Sequence, residues 1–159
     1  MFSKDALKGQ RILVTGGGSG LGKEMSRHFL KFGSEVVICG RRESVLEDTA
    51  KELSDETGGV ITYFPLDIRD SMAIEASVEE LFNEKPLTGL VNNAAGNFIS
   101  RTKDLSPNGF NAIASIVFHG TFYITNAVGK RWIENKQKGS IISILATWVW
   151  TGSPFVIPV

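Results

Sequence analysis

An apolar strand that runs directly into a glycine-rich turn constrains this chain more than any other feature. Residues 11–15 form the predicted strand, and residues 16–22 (Gly-Gly-Gly-Ser-Gly-Leu-Gly) form a turn that opens a predicted helix. Glycines let the backbone approach a pyrophosphate, and the first N–H groups and dipole of the helix face its negative charge. The pattern therefore predicts a dinucleotide at this turn. A tight structural turn is the alternative, which the flanking strand and helix disfavour.

Short apolar runs alternate with longer amphipathic runs along most of the chain. The predicted strands are 11–15, 35–39, 60–64, 87–92 and 140–145, and the predicted helices are 20–32, 43–57, 71–83 and 108–135. This order predicts an α/β fold, a Rossmann-like doubly wound parallel sheet whose strands are buried on both faces. Such sheets bind ligands beyond the carboxyl ends of their strands. Residues 146–159 are predicted to form an apolar loop with no helix or strand.

Composition and charge argue against several classes of protein. The chain has 17 basic and 17 acidic residues, which does not fit a nucleic-acid surface or a polybasic membrane patch. We expect no run that approaches the ~18 apolar residues of a membrane span, and the N-terminus lacks the apolar segment of a signal peptide. The single cysteine, Cys39, lies in an apolar run and is expected to pack in the core. We predict a cytoplasmic protein without a metal site.

Two further motifs follow predicted strands. Residues 92–96 (Asn-Asn-Ala-Ala-Gly) follow the fourth strand, and residues 67–68 (Asp-Ile) follow the third. With the Thr-Gly-x-x-x-Gly-x-Gly turn at 15–22, they resemble the short-chain dehydrogenase/reductase family over essentially the whole chain. The resemblance implies one NAD(P)-binding domain over 1–159, truncated at its C-terminal end so that the last βα units of the family fold are absent. It also implies that Asp67 meets the adenine amine.

The end of the second predicted strand indicates which dinucleotide is bound. NAD-binding proteins place an acid there for the ribose hydroxyls, whereas NADP needs cations for its 2′-phosphate. This chain has Gly40-Arg41-Arg42 at that point, and guanidinium groups match phosphate geometry. We predict NADP(H), held chiefly by Arg41, with a solvated surface arginine as the alternative. The full set of predicted cofactor-binding residues is Thr15, Gly16, Gly18, Ser19, Gly20, Leu21, Gly22, Arg41, Arg42, Asp67, Ile68, Asn93, Ala94, Ala95 and Gly96.

A finer resemblance begins after the fourth strand. Residues 93–100 (Asn-Ala-Ala-Gly-Asn-Phe-Ile-Ser), 105–108 (Leu-Ser-Pro-Asn) and 151–156 (Thr-Gly-Ser-Pro-Phe-Val) are similar to the 2,4-dienoyl-CoA reductase branch of the family. The resemblance implies that Asn97 hydrogen-bonds the substrate while NADPH supplies a hydride. A side-chain amide suits an oxyanion role because it donates without titrating. The alternative for Asn97 is a loop residue that caps its own backbone.

Several positions depart from the catalytic Asn-Ser-Tyr-Lys set that most of the family carries. The asparagine position is His119, the serine position is Ala146, and the tyrosine position aligns with Val159, so its lysine would follow the last residue. The dienoyl-CoA reductase branch carries an earlier tyrosine, whose position is Trp148 here. Histidine is an acid–base group near pH 7, whereas an indole N–H only donates. His119 and Trp148 are therefore kept as catalytic candidates, with packing as the alternative for His119.

Three functions remain open on the sequence. The first is an NADP(H)-dependent oxidoreductase that reduces an unsaturated acyl-CoA thioester, the second is a cofactor-binding fragment or pseudoenzyme without turnover, and the third is a 3-ketoacyl or carbonyl reductase of the wider family. The expected partners are a small-molecule substrate and further copies of the chain. The resemblance implies that these copies would meet through the long helix 108–135. Aromatic residues are frequent after position 145, and we expect this apolar cluster to be buried by another chain or by further residues of a longer protein.

Overall fold

Five parallel strands form one sheet in the computed structural model, which describes residues 3–153 and residue 155. The strands are β1 (Arg11–Thr15), β2 (Glu35–Gly40), β3 (Ile61–Pro65), β4 (Gly89–Asn92) and β5 (Ser140–Ser143). Their order across the sheet is β3-β2-β1-β4-β5, and every neighbouring pair is parallel. The order reverses direction between β1 and β4, where open α/β sheets bind their ligands. The predicted Rossmann-like α/β fold is confirmed.

Helices connect the strands. They are α1 (Gly20–Lys31), α2 (Glu43–Thr57), α3 (Ser71–Glu84), α4 (Pro107–Ala114), α5 (Thr121–Glu134) and the single turn α6 (Trp148–Thr151). A 3₁₀ turn covers Thr102–Asp104, and a π-helical stretch covers Ser115–Gly120.

Short-range chemistry sets several helix ends. Asp70 caps α3 by accepting hydrogen bonds from Met72 N and Ala73 N, each at 3.0 Å. Ser106 caps α4 by accepting from Gly109 N at 3.0 Å, and proline occupies the first position of that helix. Both arrangements satisfy N–H groups that have no partner within the helix. The sequence around each cap therefore determines where the helix begins.

The sheet carries a hydrophobic layer on each face. Leu13 on β1 and Leu90 on β4 pack with side chains of α3 and α5, such as Ile74 and Ile124. The other face packs against α1 and α2; its members include Val14, Val36, Ile38, Val91, Leu30, Leu46 and Leu53. Strands β1, β2 and β4 are thus covered on both faces, as expected for a doubly wound sheet.

The two outer strands correct the expectation that every strand is buried. The residues of β3 are half-buried or exposed. Strand β5 departs further from the expectation. All four of its residues are exposed, and Ile141 and Ile142 retain 44% and 51% of their accessible surface. Among the described residues it is an edge strand, paired in register with β4 alone. The apolar pattern of β5 is the same as that of a central strand. It therefore could not indicate that no helix packs over this strand in the described part of the chain.

The long predicted helix and the predicted final loop also need correction. The single helix predicted over 108–135 is divided by the π-helical stretch, which ends at Gly120. A Cβ at Gly120 would lie 2.8 Å from the carbonyl oxygen of Ile68, so the helix closely approaches the loop after β3 there. The predicted loop 146–159 contains α6, which ends where Gly152 adopts φ 71°. With ψ 167°, this backbone conformation lies outside the helical regions and is one that glycine adopts far more readily than other residues.

The segment Pro107–Glu134 also corrects the expectation about apolar length. Among the described residues this stretch of 28 residues is long and apolar enough to cross a membrane by length and composition: its most apolar window of 18 residues has a mean hydropathy of 1.2, and 28% of that window is buried. Its first two-thirds lack charged side chains, although polar residues interrupt the apolar ones. Core helices of globular proteins have the same properties, and the α5 residues Ile124, Ala127 and Val128 are buried against the sheet. The criterion by itself is a weak indication of a span.

Candidate cofactor-binding site

A cleft of about 290 Å³ lies beyond the carboxyl ends of β1, β2 and β4. It is the space in which the connecting loops of these strands face one another. Its lining residues are Thr15, Gly16, Gly18, Ser19, Cys39, Gly40, Arg41, Arg42, Val45, Leu46, Leu66, Asp67, Ile68, Asn93, Ala94, Ala95 and Ile116. Eleven of the predicted cofactor-binding residues are therefore brought together in this cleft.

The glycine-rich turn is tightly packed against its neighbours, and Gly16 and Gly22 show how it meets the loop after β4. Gly16 has φ 66°, and a Cβ there would lie 3.1 Å from both Ala94 Cα and Asn93 Nδ2. A Cβ on Gly22 would lie 2.7 Å from Asn93 Nδ2 and would collide with the carbonyl oxygen of Gly16. The helix α1 therefore starts directly against the loop after β4. Glycine is required here by space as well as by backbone conformation.

Thr15 and Asn93 join the loops after β1 and β4. The Thr15 hydroxyl oxygen accepts hydrogen bonds from the backbone N–H groups of Asn93 and Ala94 at 3.0 and 2.9 Å. The Asn93 side-chain amide donates to the carbonyl oxygen of Thr15 at 3.0 Å. These reciprocal bonds fix both loops before any ligand arrives. They act as structural supports of the cleft wall.

The start of α1 leaves polar groups free at the cleft. Ser19 is the residue that precedes the helix, and its side chain makes no capping hydrogen bond. Gly20 has φ 54°, and a Cβ there would meet no atom within 4 Å, so its role is conformational. The first N–H groups of a helix lack partners within it and carry partial positive charge. The arrangement is the usual one for binding a phosphate group.

Arg41 and Arg42 stand at the mouth of the cleft. Both are exposed and line the cleft, and they follow Gly40, the last residue of β2. Within the described part of the chain, neither guanidinium forms an ion pair within 4 Å. Two cations without an ion pair in this part of the chain therefore line the cleft together with the glycine-rich turn, and Arg41 is close enough to Asp67 to help lower the pKa of that carboxyl.

Asp67 is the carboxylate of the cleft, and its partner is Arg69. Arg69 Nε lies 2.9 and 3.1 Å from the two carboxylate oxygens, and Nη2 lies 2.5 Å from Oδ2. The hydrogen bonds from the Arg69 side chain lower the pKa of Asp67 to about 2, against a smaller opposing effect of burial. Asp67 is therefore ionised at neutral pH.

Cys39 is a lining residue that the motifs did not indicate as part of the site. Burial raises the pKa of its thiol to about 12, so it is protonated at neutral pH and fits the predicted packing role. Its carbonyl oxygen accepts from Gly16 N at 2.8 Å, which ties the end of β2 to the glycine-rich turn. The other unpredicted lining residues are Gly40, Val45, Leu46, Leu66 and Ile116. Their position after strands or on the facing helices is the signal that could have found them.

Four predicted cofactor residues do not line the cleft. Gly20, Leu21 and Gly22 lie in the first turn of α1, and Leu21 is 67% exposed. Gly96 lies beyond the lining residues of the loop after β4, where a Cβ would be 2.9 Å from Ile116 Cδ1. Gly22 and Gly96 thus permit close packing around the cleft.

The predicted catalytic residues are dispersed outside the cleft. Asn97 is exposed, and its Oδ1 accepts from Phe98 N at 2.7 Å, which is the backbone-capping alternative. His119 is exposed in the π-helical stretch, with its ring centroid 5.6 Å from that of Phe118 and 6.3 Å from that of Tyr123. Trp148 begins α6. The tyrosine position predicted at Val159 lies outside the described residues.

Comparison with known proteins gives the family. The family model described as short chain dehydrogenase matches residues 10–156. The chain belongs to the short chain dehydrogenase family. It is 43% identical over 156 residues to a probable (3E)-enoyl-CoA-producing 2,4-dienoyl-CoA reductase of Caenorhabditis elegans, covering 96% of this chain and 50% of that protein. It is 37% identical over 147 residues to a probable (2E)-enoyl-CoA-producing 2,4-dienoyl-CoA reductase of Bacillus subtilis, covering 92% and 58%.

A solved structure supports the same conclusion. The crystal structure of a short chain dehydrogenase from Bacillus anthracis superposes with a TM-score of 0.88 at 41% identity, covering 94% of this chain and 62% of that one. This short chain dehydrogenase spans about half the length of the curated relatives it matches. The members of this family are oxidoreductases that use NAD or NADP as cofactor.

Proposed function

We propose that the cleft binds NADP(H) for an oxidoreductase that reduces an unsaturated acyl-CoA thioester. The observation that carries the cofactor choice is the pair Arg41 and Arg42, exposed at the end of β2 without an ion-pair partner in the described residues. A phosphate on the 2′ oxygen of the adenosine ribose meets this pair and forms charge-assisted hydrogen bonds. An unphosphorylated ribose would leave both cations without an acceptor.

The remaining lining residues fit the rest of the dinucleotide. Gly16, Gly18 and Ser19 line the cleft, and together with the first N–H groups of α1 they suit the pyrophosphate. Asp67 and Ile68 lie beside Arg41 and suit the adenine, while Asn93, Ala94 and Ala95 wall the side next to β4. When bound, the cofactor supplies or takes up a hydride. The protein's own contribution at this cleft is binding and orientation.

Asn97 is the proposed contact to the substrate carbonyl. Its Oδ1 accepts from Phe98 N, and among the described residues no hydrogen bond uses its two side-chain N–H groups, which are therefore the donors that it can offer. A donor pair of this kind polarises a thioester carbonyl without changing protonation state. The likeness to relatives named 2,4-dienoyl-CoA reductase supports an unsaturated acyl-CoA as the substrate, and hence a role in fatty acid metabolism.

A second candidate function is cofactor binding without efficient turnover. The observation that favours it is the position of Trp148 and His119, which line no part of the cleft. An indole replaces the proton-donating phenol expected at Trp148. We therefore expect the 159-residue chain to bind NADPH and to reduce 2,4-dienoyl-CoA far more slowly than roughly 1 per second, the low end of ordinary turnover.

The cofactor proposal is tested by reversing one charge at the mouth of the cleft. We expect Arg41→Asp to raise the Kd for NADPH by about tenfold or more, because it removes a phosphate ligand and adds a repelling carboxylate. The Kd for NADH should change by less than about threefold. Lys51→Asp gives the same change of charge on the exposed surface of α2 and should leave both values unchanged. Equal weakening of NADPH and NADH binding by Arg41→Asp, measured by titration calorimetry, would reject the assignment.

The substrate proposal is tested by NADPH consumption with 2,4-dienoyl-CoA and with 3-ketoacyl-CoA. Turnover of the dienoyl substrate in the ordinary range would exclude the second candidate. Turnover of the ketoacyl substrate alone would instead make the protein a carbonyl reductase. Binding of NADPH with neither activity supports the cofactor-binding function.

The setting of the protein is also a proposal. We propose one NAD(P)-binding domain that acts in the cytoplasm as a homo-oligomer, with no nucleic-acid or membrane partner. The exposed Phe118 and Phe122, next to one another on the long helix, support contact between copies. Sedimentation at several concentrations measures the oligomeric state, and cell fractionation tests the compartment.

A further inference from the structure

Ser44 lies beside the two arginines of the cleft without lining the cleft itself. It is the second residue of α2 and is exposed, and Arg41 and Arg42 stand three and two positions before it. Arg41, Arg42 and Val45 all line the cleft, whereas Ser44 does not. Among the residues that the structure describes, the Ser44 hydroxyl forms no hydrogen bond. The proposed cofactor binding therefore gives this hydroxyl no task.

The residues around Ser44 have the pattern of a kinase substrate. Two adjacent arginines occur once in the sequence, at 41–42, and they give the order Arg-Arg-x-Ser. Basophilic protein kinases prefer a serine at this spacing, because acidic groups beside their active sites bind both guanidinium groups. The two guanidinium groups are exposed, and in the described part of the chain Glu43 forms no ion pair with them. Both the hydroxyl and its recognition elements are therefore accessible.

We propose that Ser44 is a phosphorylation site whose phosphate switches off NADP(H) binding. The Ser44 hydroxyl oxygen attacks the γ-phosphorus of ATP held by a basophilic protein kinase. The new O–P bond forms while the bond from the γ-phosphorus to the β,γ-bridging oxygen breaks. ADP leaves, and the hydroxyl proton passes to the kinase's general base, without oxidation or reduction. This inference rests on the proposed NADP(H) function and adds its regulation.

The phosphate competes with the cofactor for the same cations. A phosphoserine carries a charge of about −1.5 to −2 and three strong acceptor oxygens. At position 44 it lies next to Arg41 and Arg42 and in the first turn of α2, whose leading N–H groups lack partners within the helix. Charge-assisted hydrogen bonds to this phosphate neutralise the arginines. The 2′-phosphate of NADP(H) then loses its ligands and meets a second negative group.

The alternative is that Ser44 only helps to begin α2. Serine is a common residue in the first turn of a helix, and its hydroxyl needs no ligand there. A purely structural Ser44 remains unmodified by a kinase, or carries a phosphate that leaves NADPH binding as it was. A switch at Ser44 instead weakens NADPH far more than NADH, because NADH has no 2′-phosphate.

The test treats the chain with ATP and the catalytic subunit of cAMP-dependent protein kinase, and maps the phosphate by mass spectrometry of proteolytic fragments. We expect phosphate on Ser44. Phosphorylation should raise the Kd for NADPH about tenfold or more and the Kd for NADH less than about threefold, measured by titration calorimetry. Phosphatase treatment should restore NADPH binding. Ser44→Asp supplies a single charge and two oxygens, and should raise the Kd for NADPH about threefold.

Two variants serve as controls. Ser44→Ala should bind NADPH like the unaltered chain and keep this affinity after kinase treatment. Ser54→Asp adds the same charge to the exposed surface of α2, away from the arginines, and should leave the Kd unchanged. Retained NADH binding shows that the phosphorylated chain is folded.

Three results decide the outcome. Absence of phosphate on Ser44 overturns the modification site. A phosphate on Ser44 that leaves NADPH binding unchanged, or weakens NADPH and NADH equally, overturns the switch, and both results leave the cofactor proposal intact. Failure of the unaltered chain to bind NADPH overturns the proposed function, and this inference with it.

Discussion

Strands β1 and β5 both pair with β4, and they differ in what covers them. β1 is buried along its whole length, with α3 and α5 on one face and α1 and α2 on the other. β5 forms the same kind of parallel ladder, yet each of its residues is exposed. Backbone pairing therefore sets the strand, whereas helices supply the burial. We call the change from covered to uncovered strands, between β4 and β5, the boundary. The cleft lies on its covered side, at the ends of β1, β2 and β4.

The boundary also separates two kinds of function. Most residues proposed to bind the cofactor follow the covered strands β1, β2 and β4, where hydrogen bonds such as those of Thr15 join the loops. Asp67 and Ile68 instead follow β3, whose residues are half-buried or exposed. Asn97 and Trp148, proposed or predicted to act on substrate, are exposed beyond β4 and β5. The relatives are about twice as long as this chain. The proposed cofactor site thus lies mostly in the covered region, whereas the residues proposed or predicted to act on the substrate lie in the less covered part.

The largest expected effect comes from truncating one side chain on each side of the boundary. Leu90 and Ile141 are register partners on β4 and β5, and they are 1% and 44% exposed. Leu90→Ala should lower the free energy of unfolding by about 2–5 kcal/mol, because it leaves a cavity in the core. Ile141→Ala should lower it by less than about 1 kcal/mol, since little packing is lost. Urea denaturation of both variants measures the difference, and equal losses would contradict the comparison.

A smaller effect is expected at the glycine-rich turn. Gly22→Ala should lower the free energy of unfolding by about 1–3 kcal/mol, because its Cβ overlaps Gly16 and Asn93. It should also weaken NADPH binding by displacing the start of α1. Gly129→Ala on α5 is the control: a Cβ there meets no atom within 4 Å, so stability should rise by about 0.5–1 kcal/mol. A Gly22→Ala protein as stable as the parent would show that the turn is looser than described.

The smallest effect is expected from the ion pairs between α1 and α2, and it depends on pH. Hydrogen bonds from Lys31 and Arg27 lower the pKa of Glu56 from 4.5 to about 2. A lowered pKa in the folded state means that the stabilisation is present above pH 4.5 and is lost as the pH falls towards 2. Glu56→Gln should therefore lower the urea midpoint slightly at pH 7, and this difference should close on acidification. Asp55→Asn, whose carboxylate forms no ion pair among the described residues, should show no such closing gap.

Local patterns were enough to predict most of the fold. The alternation of apolar runs and glycine turns located all five strands within about two residues at each end. Each strand has its own run of apolar residues, and turn-forming residues mark where it ends. The cover of β5 could not be predicted, since its apolar residues look the same whether or not a helix lies over them. The π-helical stretch was missed because its residues are ordinary helix residues.

The candidate site was predictable to a similar degree. Motif positions at strand ends indicated Thr15, Arg41, Asp67 and Asn93, because parallel strands all end at one edge. The hydrogen bonds from the Arg69 side chain to Asp67 were not predicted, although the Asp-x-Arg spacing directly after a strand is a signal that could have indicated them. Side-chain geometry, and not residue type, decides whether such a pair closes. The same limit applied to Asn97, whose capping bond became visible only with the backbone in place.

The most direct test of the central claim is amide hydrogen exchange of the chain with and without NADPH. We expect NADPH to slow exchange in residues 16–22, 40–42 and 93–95, which surround the cleft, and to leave β5 unchanged. NADH at the same concentration should protect residues 40–42 less. Absence of protection at the glycine-rich turn, or protection centred on β5, would contradict the assignment of the cleft as an NADP(H) site.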